Sequence, residues 1–497
     1  MLQEETLARK FVRKGFWLYL FTFLIAPLGY IVKMVISRDL SVEDVGVIYG
    51  VISFVTLIGV YNDLGFTESL NFFLPKYIVN KEIGKAKYLL KLAFFAQGIS
   101  SVIIAAFLFF LAPWIAEHYF HHEAVSTVLR IAGLFFIGIN ILHISTTLFT
   151  VTQDVKFQKM TEFIRMASTA IGTIILFLSD TGNTENYMWI WVSGVFLSMI
   201  FAFFFAYHRH YRDNFLSIES SLTRAERNEF IRYAGATLLT ANIATILSQI
   251  DMQLIIFLLG AAATGYYSNY LSLMNIPFIF IAPIIGFLFP VISELYGRSD
   301  KLKMRLIHER FSLYFSIIGV WISFFLLQFG EELAVTFFGN AFELSGYILM
   351  FSAPFIIFNL MNQVNFQILA GTGQIGTRAR ILAIAIPINL VLNLVFIHTH
   401  MISGAALAVG LSWIPLWYMS HRATREYHGN FSLPTFFKNI ILAASTYGTL
   451  HLFFLSFSIP SNLVVLCIAV LLNLIIFSAG NKLLLREMWE TIQKNRK

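Results

Sequence analysis

Residues 8–36 read ARKFVRKGFWLYLFTFLIAPLGYIVKMVI: the basic residues Arg9, Lys10, Arg13 and Lys14 lead into an apolar run of 22 residues, Gly15 to Ile36, interrupted by one charge, Lys33. At 1.5 Å of rise per residue such a run crosses a hydrocarbon core about 30 Å thick. A signal peptide begins in the same way, but its apolar core is shorter and closes on a small-residue cleavage site, which this run lacks. The reading is a retained first transmembrane helix.

Working outward, apolar stretches of similar length occur near 45–62, 88–115, 126–150, 157–178, 188–207, 232–258, 265–289, 312–329, 346–370, 380–396, 403–419, 436–457 and 462–485. With the first they predict an all-α polytopic membrane protein of about fourteen spans. Composition agrees, since 57% hydrophobic and 13% charged residues leave too little polar sequence to cover a soluble core of 497 residues. The weakest stretch is 157–178, where Lys159, Glu162 and Arg165 crowd the start, and 312–329 is short.

The net charge of +7 is topological and does not indicate a nucleic-acid partner. Lys and Arg accumulate in cytoplasmic loops of membrane proteins. With the N-terminus inside, all of the 35 basic residues except Lys33, Arg38 and Arg130 fall on one side, among them Lys76, Lys81, Lys85, Lys87, Arg165, Arg224, Lys301, Arg422, Arg486, Lys494, Arg496 and Lys497. The other side carries Glu117, Glu123, Asp180, Glu185, Glu331, Glu332 and Glu343. One miscounted span would invert every later loop, so the bias predicts fourteen helices in the cytoplasmic (inner) membrane with both termini cytoplasmic. Cys467 is the sole cysteine, which excludes internal disulfides and cysteine-rich zinc sites.

LSVEDVGVIYGV at 40–51, followed by FFLPKY at 72–77, has an echo in LGAAATGYYSNYL at 259–271, followed by FLFPVI at 287–292, so that Gly46 matches Gly265 and Pro75 matches Pro290 after a gap. This predicts an N-terminal six-helix lobe over 1–210, a second over 211–430, and helices 13 and 14 with a cytoplasmic tail over 431–497. Chance likeness between apolar sequences is the alternative.

LSVEDVGVIYG at the exit of the first helix, NDLGF (62–66) and LPKY (74–77), within fourteen spans in two halves, resemble the polysaccharide transporter (Wzx-like oligosaccharide flippase) family of the multidrug/oligosaccharidyl-lipid/polysaccharide exporter superfamily. The resemblance implies alternating access and transfer of polyprenyl-diphosphate-linked oligosaccharide between leaflets. It also implies membrane lipids, a polysaccharide polymerase and glycosyltransferases as partners, with proton or sodium coupling open.

Charges inside the hydrocarbon each cost roughly 2.5–3.5 kcal/mol on insertion scales and mark candidate sites. Lys33 shares a helical face with Thr22, Ala26 and Gly29, as a cavity residue would, or it snorkels to the headgroups. Arg38 and Arg130 either extend a cationic substrate region with it or anchor the interface beside Asp39, Glu43 and Glu123. Asp63 and Glu68 near the end of helix 2, and Asp251 in helix 7, are candidates for ion coupling or gating, with a helix-terminal role the alternative for Asp63. Asn242 and Gln249 on helix 7, and Asn359 and Gln363 on helix 10, can bind sugar hydroxyls or join helices by hydrogen bonds.

Other motifs fail on context. Gly371 to Gly376 spells GxGxxG after a membrane helix rather than a strand, and no GxxxxGK[ST] string occurs. His118, His121 and His122 read as a solvated loop, and neither a metal nor a cofactor is expected. Outer loops of roughly 5–16 residues lie within the ordinary range for helix connections and leave no room for a catalytic domain. The reading is a transporter rather than an enzyme, with a drug or metabolite antiporter of the same fold as alternative and an integral-membrane polymerase or ligase behind it.

Overall fold

The computed structural model describes residues 7–240, 242–457 and 463–482; Arg486, Lys494, Arg496, Lys497 and the expected cytoplasmic tail lie outside them. Among the described residues every regular element is helical. In chain order the helices are α1 (Leu7–Asp39), α2 (Val42–Asn62), α3 (Phe66–Val79), α4 (Ile83–Ile115), α5 (Val125–Gly133), α6 (Phe135–Val151), α7 (Val155–Leu178), α8 (Thr184–Ala206) and α9 (Arg212–Phe215). They continue as α10 (Arg224–Thr240), α11 (Ile243–Leu259), α12 (Ala261–Gly297), α13 (Lys301–Phe338), α14 (Glu343–Ser352), α15 (Ile356–Gly371), α16 (Ile375–Ala423), α17 (Leu433–Phe457) and α18 (Leu463–Gly480).

Eleven helical stretches among the described residues are long and apolar enough to cross a membrane. The 49-residue α16 holds two passages, because Met401 leaves the helical region with φ of 54° and ψ of −134°. Gly404 then lies so near the Phe396 carbonyl that a Cβ would overlap it, which marks the chain folding back. With α17 and α18, fourteen helical segments among the described residues lie at the positions read from the sequence. At the crowded start of α7, Lys159 pairs with Glu162 one turn on, at 2.8 Å, which offsets part of the cost of the charges there.

The second span ends at Asn62 as expected, but NDLGF and LPKY, given to that helix from the sequence, lie in a break and in the separate α3. Leu64 and Gly65 take left-handed backbone conformations, and the chain resumes at once as α3, burying Phe66, Leu70, Phe73, Leu74 and Tyr77. Gly65 is required there, since a Cβ would overlap the Ala234 carbonyl of α10.

The chain packs as two compact units, Met1–Ser268 and Asn269–Lys497. The core of the first gathers α3, α4, α6, α8 and α10, with Phe73 and Phe230 in edge-to-face contact at 5.7 Å. Phe95, Ile99, Val102, Ile103 and Phe110 of α4 are exposed, as a lipid-facing surface requires. In the second unit α13 is the spine. Its Leu313, Ile317 and Trp321 pack with Ala443 of α17, and Trp321 Nε1 donates to Asn439 Oδ1 at 3.3 Å.

Within the first unit the two glycines matched in the sequence echo meet. A Cβ on Gly46 would overlap the Ala261 carbonyl, four residues before Gly265, while a Cβ on Gly265 would overlap the Val42 carbonyl, four residues before Gly46. The contact is reciprocal. Close backbone approach of this kind needs small residues. Gly46→Ala and Gly265→Ala should each destabilise the protein by about 1–3 kcal/mol, as overpacking does. Thermal unfolding followed by size-exclusion fluorescence in detergent checks this, with Gly98→Ala, where an added Cβ meets nothing within 4 Å, expected to melt at the wild-type temperature.

Candidate functional site

Four helices of the first unit enclose a cavity of about 180 Å³: Gly29, Val32 and Ile36 of α1, Ile48, Tyr49 and Ile52 of α2, Arg165, Met166, Thr169 and Thr173 of α7, and Tyr187 and Trp191 of α8. The α7/α8 wall is tight because Gly194 admits Thr169 Oγ1 where a Cβ would stand. Asp39, at the end of α1, accepts the Tyr187 hydroxyl and fills the space beside Gly182, which ties α1 to the head of α8.

Two cations define its chemistry. Lys33 is buried, its Nζ 3.0 Å from the centroid of the Tyr49 ring and donating to Ser268 Oγ at 2.7 Å. Tyr49 therefore separates the Lys33 ammonium from the cavity while carrying its charge by cation–π contact. Arg165 lines the cavity directly and forms no ion pair among the described residues. Arg165, expected at the crowded inner start of the 157–178 span, stands near the middle of α7 as its eleventh residue, and a charge within a span was the available signal.

Arg38 and Arg130 do not line this cavity. Arg38 is exposed in the last turn of α1. Arg130 is exposed on α5, donates through Nε to the Phe109 carbonyl at 3.3 Å and lies 5.2 Å from the Phe109 ring.

A second polar centre forms where α2 breaks into α3. Asp63 accepts from Thr67, both backbone and hydroxyl, and from Gln97 Nε2 at 2.7 Å. Asn140 Nδ2 bridges the Gln97 carbonyl at 2.9 Å and Ser101 Oγ at 2.7 Å. Asn62 Oδ1 and Gln97 Oε1 are buried there without a hydrogen-bond partner. Glu68 is exposed in the first turn of α3.

On α11, Asp251 and Gln253 are buried, and Gln253 joins α11 to α2 by donating to Ser53 Oγ at 2.9 Å while accepting from Tyr119 at 3.0 Å. Gln249 donates to neighbouring Ser248, and Asn242, at the start of α11, reaches the Val60 carbonyl at 3.4 Å. In the second unit Asn359 and Gln363 of α15 are half-buried, whereas the buried amides of that helix are Asn362 and Asn365. Three histidines of the same unit, His308, His421 and His428, offer the donor set there that could hold a metal.

These features define a polytopic helical membrane protein whose interior holds a cation-lined cavity and a separate amide–carboxylate centre. The chain belongs to the polysaccharide biosynthesis protein family, whose model matches residues 11–296. An uncharacterized membrane protein of Methanocaldococcus jannaschii is 24% identical over 424 residues, 82% of each chain. The probable low-salt glycan biosynthesis flippase Agl15 of Haloferax volcanii is 26% identical over 167 residues, 33% of this chain and 35% of the relative. Among solved structures, the lipid II flippase MurJ in an inward closed conformation superposes with a TM-score of 0.73 at 13% identity, covering 95% of this chain and 99% of MurJ. An inward-facing multidrug resistance MATE family transporter of the MOP superfamily gives 0.67 at 14% identity, covering 81% and 94%. Family and fold are those the resemblance implied.

Asp63→Ala should remove the cap of α3 and leave the Gln97 amide buried with only a backbone partner, a loss of about 1–3 kcal/mol. Detergent-phase melting curves measure it, and Thr67→Val, which keeps the carboxylate and its Gln97 bond, should lose less.

Proposed function

We propose that this protein is a flippase that carries polyprenyl-diphosphate-linked oligosaccharide from the cytoplasmic to the outer leaflet of the cytoplasmic membrane by alternating access. The observation that carries the reading is Arg165 facing a cavity whose Tyr49 wall carries buried Lys33 on its ring, in a chain whose family model is described as polysaccharide biosynthesis. A diphosphate drawn into a low-dielectric interior loses hydration, and a guanidinium already fixed there offsets that loss through paired N–H donors. Arg165 meets the diphosphate and Lys33 adds field through Tyr49. A space of about 180 Å³ takes the charged group and not the glycan, so the sugars occupy a wider passage open in another conformation. The flippase names of Agl15 and MurJ support the reading. Arg38 and Arg130 serve as interfacial anchors.

Asp63, with the bare oxygens of Asn62 and Gln97 beside it, is the coupling residue of this proposal for a proton or sodium ion. The same centre favours the second reading, an ion-coupled antiporter of the MATE kind. Both termini are cytoplasmic in either case, and no catalytic step is assigned to the chain.

In vesicles loaded with lipid-linked oligosaccharide, Arg165→Ala should lower delivery to the outer leaflet at least tenfold at normal protein abundance, with Lys33→Ala lowering it less. Full delivery by Arg165→Ala removes the cavity from the transport path. Export of small cationic drugs, with no glycan delivery by wild-type protein, selects the antiporter.

Single cysteines replacing Glu123, Glu185 or Glu343 should react with an impermeant reagent from outside, and ones replacing Lys81, Arg224 or Lys301 should not. Reversed labelling at any loop breaks the orientation at that loop.

A further inference from the structure

Three histidines distant in sequence converge in the second unit. His308 lies in the third turn of α13, His421 in the last turn of α16, and His428 just beyond the short turn Arg425–Tyr427 that leads toward α17. The His421 and His428 rings stack at 3.8 Å between centroids, and His308 stacks on His428 at 4.6 Å. One nitrogen from each lies within 4.8 Å of the other two.

We propose that His308, His421 and His428 form a binding site for one divalent transition-metal ion of the zinc class.

The surroundings are those of a ligand set already oriented. His308 Nε2 lies 3.2 Å from Asn365 Oδ1, and Asn365 is itself fixed because its Nδ2 donates to Ser420 Oγ at 3.0 Å. An imidazole that donates Nε2–H to an amide oxygen carries a bare lone pair on Nδ1. That atom in His308 is buried without a hydrogen-bond partner. His428 Nε2 likewise has Thr424 Oγ1 at 3.3 Å. Donation of one ring N–H to an oxygen acceptor, with the other nitrogen left for the ion, is the usual support of a metal-bound histidine.

The loop that brings in His428 is held in place before any ion arrives. Gly429 fits against Glu309 where a Cβ would come within 2.6 Å of that side chain, Asn430 N donates to Glu309 Oε2 at 3.0 Å, and Arg305 Nε donates to the Glu426 carbonyl at 3.1 Å.

Three imidazole nitrogens suit zinc, copper or nickel rather than magnesium or calcium, which take oxygen ligands. A tetrahedral zinc with bonds of about 2.0–2.1 Å needs nitrogens about 3.3 Å apart, so the rings must draw together by at most about 1.5 Å. A water would complete the fourth position. The ion would join the start of α13, the end of α16 and the approach to α17.

The test uses the full chain, purified in detergent without a histidine tag, stripped with chelator and titrated with Zn²⁺ alone. Wild-type protein should bind one Zn²⁺ per chain by calorimetry and elemental analysis and should melt at a higher temperature with the ion. Both effects should fall at least tenfold or vanish in His428→Gln, a loop substitution, and persist in the control His118→Gln/His121→Gln. Absence of stoichiometric binding, or binding unchanged in His428→Gln, overturns the proposal. Co²⁺ bound to wild-type protein gives a readout independent of any variant's folding: an intense tetrahedral d–d band supports the site, and a weak octahedral spectrum overturns it.

Discussion

In a solvent without hydrogen-bonding partners, every backbone N–H and C=O must be satisfied within the protein, and the other features of this fold follow from that constraint. Of the two solutions it allows, helices and closed barrels, the described residues adopt the helical one, and each interruption then needs local compensation. At the break between α2 and α3 the compensation is visible residue by residue: Asp63 caps Thr67, Gln97 Nε2 takes the Asp63 carbonyl at 3.0 Å, and Thr237 donates to the Gly65 carbonyl at 3.1 Å. The polar residues there satisfy a broken helix first, and the centre they form is available for ion chemistry because two amide oxygens are left over.

The same solvent removes the hydrophobic drive between helices, so that association rests on close packing and hydrogen bonds. Gly46 and Gly265 supply the first by letting α2 and α12 meet backbone to backbone, and Gln253 supplies the second a few turns along α11. Lys33 belongs to the same junction: it extends from α1, lies over Tyr49 of α2 and donates to Ser268 of α12. A charge in this position therefore packs the cavity wall as well as setting its potential.

How much of this was legible in the sequence depended on whether the signal was local. Span positions were, because length and hydropathy are properties of a contiguous run, and Gly46 and Gly265 stood out because a repeat aligns them. Arg165 was not singled out as a site residue because, beside Lys159 and Glu162, a basic residue near the start of a span counts toward the charge bias of the inner side. On α15 the sequence row of amides suggested Asn359 and Gln363, but the residues one helical face away, Asn362 and Asn365, are the buried ones. Rotation of a helix that is apolar on most sides cannot be read from periodicity. His308, His421 and His428 carried no spacing signal, since 113 residues separate the first two and only the fold brings them together.

The Lys33 contact also sets an order of events during synthesis. Tyr49 follows Lys33 by 16 residues and Ser268 by 235, so at roughly 5–20 residues per second the ring is made within about three seconds and the hydroxyl only after about 12–47 seconds. Through that interval a nascent chain already in the bilayer must keep an ammonium ion in hydrocarbon without its final hydrogen bond. The Tyr49 face is then the partner made first, a chaperoning contact within the chain. Replacing Tyr49 with an aliphatic residue would be felt in the yield of inserted protein before it is felt in the finished fold.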